Sequence, residues 1–569
     1  MITRRDFVQA ALATAVLTGA GTSVARAAAS QSITQAELLQ FEPLGQVTLL
    51  HFTDLHAQLQ PLYFREPSVN IGVGADAGLP PHLTGDQFLK AFNIAPETRG
   101  AYALSSVDFT ALAKDYGRLG GLDRMATLIK AIRAQRPTQT LLLDGGDTWQ
   151  GSYTSLKERG ADMVAAQNLL GVDAMTAHWE FTYGQDRVKE LKGKLDAAFL
   201  CGNVKDATWG DRVFDGTKMY ERGGVQIAVI GQAFPYTPIA NPRYLIPDWS
   251  FGIEEDRVRD EVTAARAKGA DVVVLLSHNG FDVDRKLAAR VEGIDVILTG
   301  HTHDAIPQSV MVGSTILTAP GSHGKFLGRL DLDVKNKRVV GHRFRLIPIF
   351  SDAITPDPEM SALITRVRAP YQADLDRVLA RTDSLLYRRG NFNGTFDDLI
   401  CDALLHERDA QIALSPGFRW GTSLLPGQNI RLEDLYNQTA ITYPAAYRSV
   451  MTGAQLKAIF EDVADNLFNP DPYYQQGGDM VRVGGMSYAI DVNKPAGARI
   501  SEMQLNGGAP IEAAKNYTVA GWASVNQGTE GPPVYDVVTS YLERQKVVNV
   551  PDRQVVRVRG ADPRGMSAS

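Results

Sequence analysis

At 569 residues the chain exceeds what one ordinary hydrophobic core accommodates, so two or three globular units are expected. A composition that is 44% hydrophobic and 21% charged, with no low-complexity tract or sustained heptads, excludes a disordered or fibrous protein. The formal net charge of -6, without a large basic block, argues against nucleic acid as a partner.

The chain opens with Thr3-Arg4-Arg5-Asp6-Phe7-Val8, a twin-arginine pattern, then an apolar stretch from Ala10 to Ala20 and the small-x-small triplet Ala25-Arg26-Ala27. Residues 1–27 therefore read as a twin-arginine signal peptide, and the mature protein is expected in the periplasm. That first apolar run is too short to span a bilayer, and no later run reaches the roughly 20 residues required, so stable membrane insertion is not expected. Cys201 and Cys401, the two cysteines, are expected as buried free thiols.

Four β-branched or Leu-rich runs have strand length: Val47 to Phe52, Thr140 to Leu143, Val272 to Leu276 and Ile294 to Leu298. Helical patterns lie between them, at Leu122 to Arg136, Asp162 to Leu170 and Glu254 to Lys268. Strands alternating with helices predict a layered α/β domain over 45–345. The Gly- and Pro-containing stretch from Pro61 to Lys114 shows no clean period and reads as a long insertion. Residues 346–385 read as a helical linker, with one long amphipathic helix from Glu359 to Leu379. A second α/β unit follows over 386–556, and the tail from Gly560 onward is expected to be disordered.

Most of the chemistry-bearing residues directly follow a strand end, in five motifs: Asp54-Leu55-His56, Asp144-Gly145-Gly146-Asp147, His178, Ser277-His278-Asn279 and His301-Thr302-His303. Ligands in open α/β sheets gather outside the carboxyl ends of strands, so these loops should converge. In extended chain, residues i and i+2 point the same way, which would aim Asp54 with His56, and His301 with His303, at one point. Gly145 and Gly146 permit a tight turn that brings Asp147 close. Imidazole and carboxylate donors without thiolate suit manganese, zinc or iron. Seven ligands are too many for one catalytic ion. Two ions roughly 3.5 to 4 Å apart, sharing a carboxylate and holding a bridging hydroxide, would use all of them. His51 reads as core, Asp144 as support for its loop and His323 as a neighbour of the site.

On these motifs the chain resembles the 5′-nucleotidase family of calcineurin-like metallophosphoesterases. The resemblance implies a β-sandwich flanked by helices over 45–345 and a C-terminal substrate-binding domain over 386–556. It also implies one metal site of Asp54, His56, Asp147 and His303, and another of Asp147, His178, His278 and His301, with Asp147 shared.

The third motif departs from that family. Nucleotidases carry Gly-Asn-His-Glu-Phe-Asp there, with the Asn as a ligand and a His-Asp dyad assisting the leaving group; this chain has Ala177-His178-Trp179-Glu180-Phe181-Thr182. Losing a general acid worth about 10² to 10⁴ in rate handicaps ester hydrolysis, whereas a thiol of pKa about 8.5 departs unassisted. These departures, with Phe52 to Pro61, Ala177 to Gly184 and Arg389-Gly390-Asn391-Phe392-Asn393-Gly394-Thr395-Phe396-Asp397, resemble the SoxB family of thiosulfohydrolases. That resemblance implies hydrolysis of a cysteine S-thiosulfonate on the C-terminal peptide of the carrier SoxYZ, release of sulfate, a two-manganese cofactor and a monomeric enzyme. It assigns Asp147, His178 and Trp179 to the reaction centre. Substrate-side cations are expected from Arg388, Arg389 and Arg419. The alternative is a periplasmic 5′-nucleotidase or related phosphoesterase.

Overall fold

A computed structural model describes residues 33–567; the expected signal peptide lies outside them. The four expected strands are present as Val47–Phe52, Thr140–Asp144, Val272–Ser277 and Val296–Thr299. Every residue of Val47–Phe52 is buried, and the pleat sends Val47 and Leu49 to one face and Leu50 and Phe52 to the other. This strand pairs in parallel with Thr140–Asp144 and antiparallel with Phe326–Lys335. Together with Arg338–Pro348, Ala174–Met175 and Ala198–Phe199 they form a six-stranded sheet.

The second six-stranded sheet runs in the order Val310–Val312, Thr315–Thr318, Val296–Thr299, Val272–Ser277, Val225–Gln232, Thr217–Arg222. The two sheets bury one common layer, in which Val47, Leu49 and Leu141 meet Ile227, Val274 and Leu298. On the outer face of the second sheet, helices Glu255–Ala267 and Phe281–Arg290 cover Ile230, Val273 and Ile297. Helix Leu122–Gln135 covers the first sheet through Met125, Ile129 and Ile132. Each buried aliphatic side chain contributes about 1.5–3 kcal/mol, so this sandwich, rather than surface ion pairs of about 0–1 kcal/mol, holds the domain.

The C-terminal unit is also α/β. Its four-stranded sheet, in the order Ala446–Thr452, Asn516–Trp522, Ile412–Gly417, Asp479–Gly484, carries helix Thr395–Glu407 and its neighbours. Cys201 and Cys401 are free and buried in two different cores. No helix among the described residues is long and apolar enough to cross a membrane.

Three expectations need correction. The linker helix is Pro358–Arg368 only: Pro370 cannot supply the next amide hydrogen, and the chain passes through a short turn into Gln372–Leu375 before Leu379 joins a strand. The insertion is built of helices Gly85–Ala91, Arg99–Leu104 and Phe109–Tyr116, too short to show a clean period. The tail is ordered to Ser567, because Asn70 N donates to Gly565 O at 2.9 Å and Ser567 N to Ser68 O at 2.8 Å.

The insertion thereby spans both domains. Ile71 N donates to Asn391 Oδ1 at 2.6 Å, Arg65 N to Ser423 Oγ at 3.0 Å, and the Arg65 guanidinium stacks 4.4 Å over the Tyr387 ring. Its anchor in the catalytic domain is Lys325, fully buried, whose ammonium pairs with Glu66 and donates to Phe64 O and Ala103 O. Lys325→Met strands the Glu66 carboxylate and is expected to cost about 3–5 kcal/mol, whereas the double variant Lys325→Met/Glu66→Leu recovers most of that loss. Melting temperatures of the three proteins decide it; equal losses in single and double variants would refute the pairing argument.

Candidate metal centre

All seven expected ligands stand just beyond strand ends: Asp54 and His56 after Val47–Phe52, Asp147 after Thr140–Asp144, and His178 after Ala174–Met175. His278 follows Val272–Ser277, and His301 and His303 follow Val296–Thr299. Their ligand atoms form two groups, Asp54, His56, Asp147, His303 and Asp147, His178, His278, His301, each within 4.8 Å. The loops are not extended, as the i, i+2 reading supposed. Asp54, His56, Asp147, His301 and His303 have φ between 45° and 75°. Left-handed conformations in non-glycine residues cost of order 1–3 kcal/mol each and persist where function demands the geometry. At Gly145 a Cβ would lie 2.4 Å from Thr53 Oγ1, so only glycine lets these two loops meet.

The distances are short for groups of like character. His56 Nε2 is 3.1 Å from His303 Nε2, which is 3.2 Å from Asp54 Oδ1. Asp147 Oδ2 is 3.0 Å from His278 Nε2 and 3.2 Å from His178 Nδ1. His178 Nε2 and His301 Nε2 are buried without any partner. Buried imidazole lone pairs converging on two carboxylates fit a pair of divalent cations of intermediate softness.

Burial and the facing carboxylates and imidazoles set the protonation of these groups. Burial raises Asp54 to about 6, against the opposing pull of His278. Burial also raises Asp147, but His178 and His278 overcome it and hold that carboxyl well below its usual range. Burial depresses His56, His178, His301 and His303. His278 is the exception: burial opposes its charge, yet Asp147 and Asp54 push it up to about 10. A proton on His278 thus stabilises the cation-free fold fully below the unfolded value of about 6.5, and this stabilisation is lost as pH rises through about 10. Cation loading must displace that proton. Affinity is therefore expected to rise about tenfold per pH unit from 7 toward 10, with at least one proton released per chain at pH 8. Calorimetry in buffers of different ionisation enthalpy measures this, and pH-independent affinity would contradict it.

Outer partners orient the donors. His56 Nδ1 faces Gln150 Oε1 at 3.3 Å, and His278 Nδ1 donates to Gly145 O at 2.6 Å. Asp144 accepts from Gly146 N, Thr148 Oγ1 and Gln167 Nε2, which supports the loop as expected; burial pushes its carboxyl up to about 8. Glu180, fully buried, accepts the backbone hydrogens of Asp147, Thr148, Trp149 and His178, tying two ligand loops together. Its only sequence signal was an acid just after His178. His323 Nε2 accepts Gly421 N–H at 3.2 Å from the other domain. His51 is core, as read.

The cleft over these donors has a volume of about 170 Å³ and is walled by aromatic residues of both domains. Trp179 meets Trp420 and Phe418 edge-on at 4.9 and 5.3 Å, and Phe418 stacks on Trp420 at 4.0 Å. Phe234 stacks on His301 at 4.0 Å. Phe234, Phe418 and Trp420 were not singled out from sequence, since isolated aromatics there look like any core residue. Thr182 is turned away and shares a 2.7 Å hydrogen bond with Thr442.

Of the three arginines, Arg419 alone lines the cleft, oriented by Asp479 at 3.3 Å. Arg388 is buried against Asp397 at 3.0 Å, inside the C-terminal domain. Arg389 is also buried, donating to Thr302 O at 3.0 Å in the loop between His301 and His303, and its charge adds to burial and His56 in depressing His303. Asp397 claims the Arg388 guanidinium, while that of Arg389 lies 3.6 Å from Asp479 and 3.7 Å from Asp304 and is set by burial rather than by a close carboxylate pair.

Residues 378–539 match the family model of the 5′-nucleotidase C-terminal domain. Bovine (Bos taurus) 5′-nucleotidase is 24% identical over 431 residues, 68% of this chain and 73% of its own length. A 5′-nucleotidase precursor from Thermus thermophilus shares the fold at 21% identity and a TM-score of 0.72, over 90% of this chain and 99% of that one. The sulfate thiohydrolase SoxB of Thermus thermophilus, solved with glycerol, is 38% identical with a TM-score of 0.88, covering 92% of this chain and 98% of its own. With that identity over nearly its whole length, and with two clustered ligand sets under an aromatic cleft, the chain belongs to the SoxB family within the 5′-nucleotidase superfamily.

Proposed function

We propose that the chain is a thiosulfohydrolase that cleaves a cysteine S-thiosulfonate carried on the C-terminal peptide of SoxYZ, releasing sulfate and leaving a persulfide on the carrier. The observation that carries this reading is Trp179, an indole wall beside the ligand cluster at the position where nucleotidases keep a proton donor. Two divalent cations, manganese in this reading, supply Lewis acidity and an activated water when bound. Asp54, His56, Asp147, His178, His278, His301 and His303 would hold them.

The chain's own residues do the rest. Arg419 offers a fixed cation to the sulfonate oxygens from the second domain. Trp179, Phe418 and Trp420 exclude water around the S–S bond and present polarizable faces to sulfur. The persulfide leaves as an anion and takes its proton from solvent. The proposed setting is the periplasm, reached by the twin-arginine route.

Sulfate release from thiosulfonate-conjugated carrier, with metal content determined on the same sample, tests the reading. Rapid hydrolysis of AMP with no sulfate release would favour a 5′-nucleotidase or related phosphoesterase instead.

A further inference from the structure

Apart from the candidate ligands, Tyr236 and Arg419 are the only titratable side chains among the described residues that line the cleft. Tyr236 gives its hydroxyl hydrogen to Tyr473 O, and burial raises its pKa, so that proton is committed away from the reaction. The Arg419 guanidinium is held by Asp479 at 3.3 Å. The nearby acids point elsewhere: Glu180 is saturated by four backbone N–H groups, and Asp144 is held by Gly146, Thr148 and Gln167. His323 spends Nε2 on Gly421 N–H and Nδ1 on Ser322. The remaining walls are indole, phenyl, aliphatic and amide groups. A leaving group in this cleft departs with whatever stability it has of its own.

We infer that the same cleft hydrolyses S-linked phosphate monoesters, phosphorothiolates of the form RS–PO₃²⁻, because it selects the leaving group rather than the central atom. The inference rests on the hydrolytic reading above. Phosphoryl and sulfonyl groups are both tetrahedral, carry three peripheral oxygens and make the same demands on two cations and Arg419. In RS–PO₃²⁻ + H₂O → RSH + HPO₄²⁻ the P–S bond breaks with both electrons on sulfur, and the water oxygen bonds to phosphorus. One water hydrogen stays on phosphate, and the thiolate gains its proton from solvent. A thiol has a pKa of about 8.5, while an alkyl alcohol lies near water's value of about 15.7, so the oxygen ester lacks an exit without an acid.

The test uses an isosteric pair, cysteamine S-phosphate and ethanolamine O-phosphate, with the manganese-loaded full chain. The S-ester is expected to turn over at least about 10²-fold faster, releasing thiol and phosphate in equal amounts. Quenching of tryptophan fluorescence should return comparable dissociation constants, which places the difference in kcat rather than in binding. Equal turnover of the two esters, or tight binding of the S-ester without thiol release, overturns the inference. If the S-ester resists while carrier thiosulfonate is cleaved, only this inference fails. If the S-ester is cleaved while the carrier yields no sulfate, the carrier reading fails and this one stands.

Discussion

Asp147→Asn is expected to abolish turnover, with kcat down by at least about 10³-fold, since two-cation activation is worth several kcal/mol and each 1.36 kcal/mol is tenfold. Asp147 is the one residue common to both ligand groups, and its Oδ2 lies 3.0 Å from His278 Nε2 and 3.2 Å from His178 Nδ1. Removing its charge weakens both sites together, so bound metal should fall below two per chain while the fold survives on its sandwich core. A neighbouring loss confined to one group, such as His56→Ala, should lower only one site's occupancy. Metal analysis, circular dichroism and sulfate release on the same preparations check this. A folded Asp147→Asn protein with two metals per chain and near-normal rate would remove the basis for a shared carboxylate.

Trp179→His with Thr182→Asp is expected to move the chemistry toward oxygen esters. A restored imidazole acid contributes about 10² to 10⁴ when well placed, so AMP hydrolysis should rise by at least about tenfold even with imperfect geometry. Thr182 is buried with its hydroxyl 2.7 Å from Thr442 Oγ1, whose own hydrogen goes to Thr182 O at 2.9 Å, so a carboxylate at 182 has to draw that hydroxyl away from the backbone carbonyl. On the proposed function, thiosulfonate cleavage should fall, because the edge-on contacts of Trp179 with Trp420 and Phe418 are lost and water enters the cleft. The pH profile discriminates further: the double variant should acquire an alkaline limb in ester hydrolysis, because a general acid acts only while protonated. Unchanged ester rates with intact metal content would show that the dyad position does not govern the leaving group.

Much of the catalytic half was legible from residue order. The run Val47–Phe52 is buried throughout and its companions Thr140–Asp144 and Val272–Ser277 equally so, because apolar β-branched runs of strand length have few other ways to leave water. The clustering of the seven candidate ligands was readable for a similar reason. Parallel strands end on one side, so Asp and His residues placed just past strand ends converge without any long-range information. The loop backbone was not readable: Asp54, His56, Asp147, His301 and His303 take positive φ in loops held by tertiary contacts, such as the Asp147 amide hydrogen on Glu180.

Sequence by itself therefore placed the candidate donors just past strand ends in a layered α/β domain, which depends on local order and periodicity, while the family resemblance supplied the β-sandwich and the reading of Trp179 as standing where nucleotidases keep a proton donor. Tertiary structure alone decided which arginine faces the cleft, that Phe418 and Trp420 meet Trp179 across the domain boundary, and that the tail to Ser567 clasps the insertion. The contacts of Trp179 with Phe418 and Trp420, and those of the tail with the insertion, join residues hundreds of positions apart. Burial and charge pairing decide the arginines, with Asp397 holding Arg388 inside the C-terminal domain and Asp479 orienting Arg419 at the cleft.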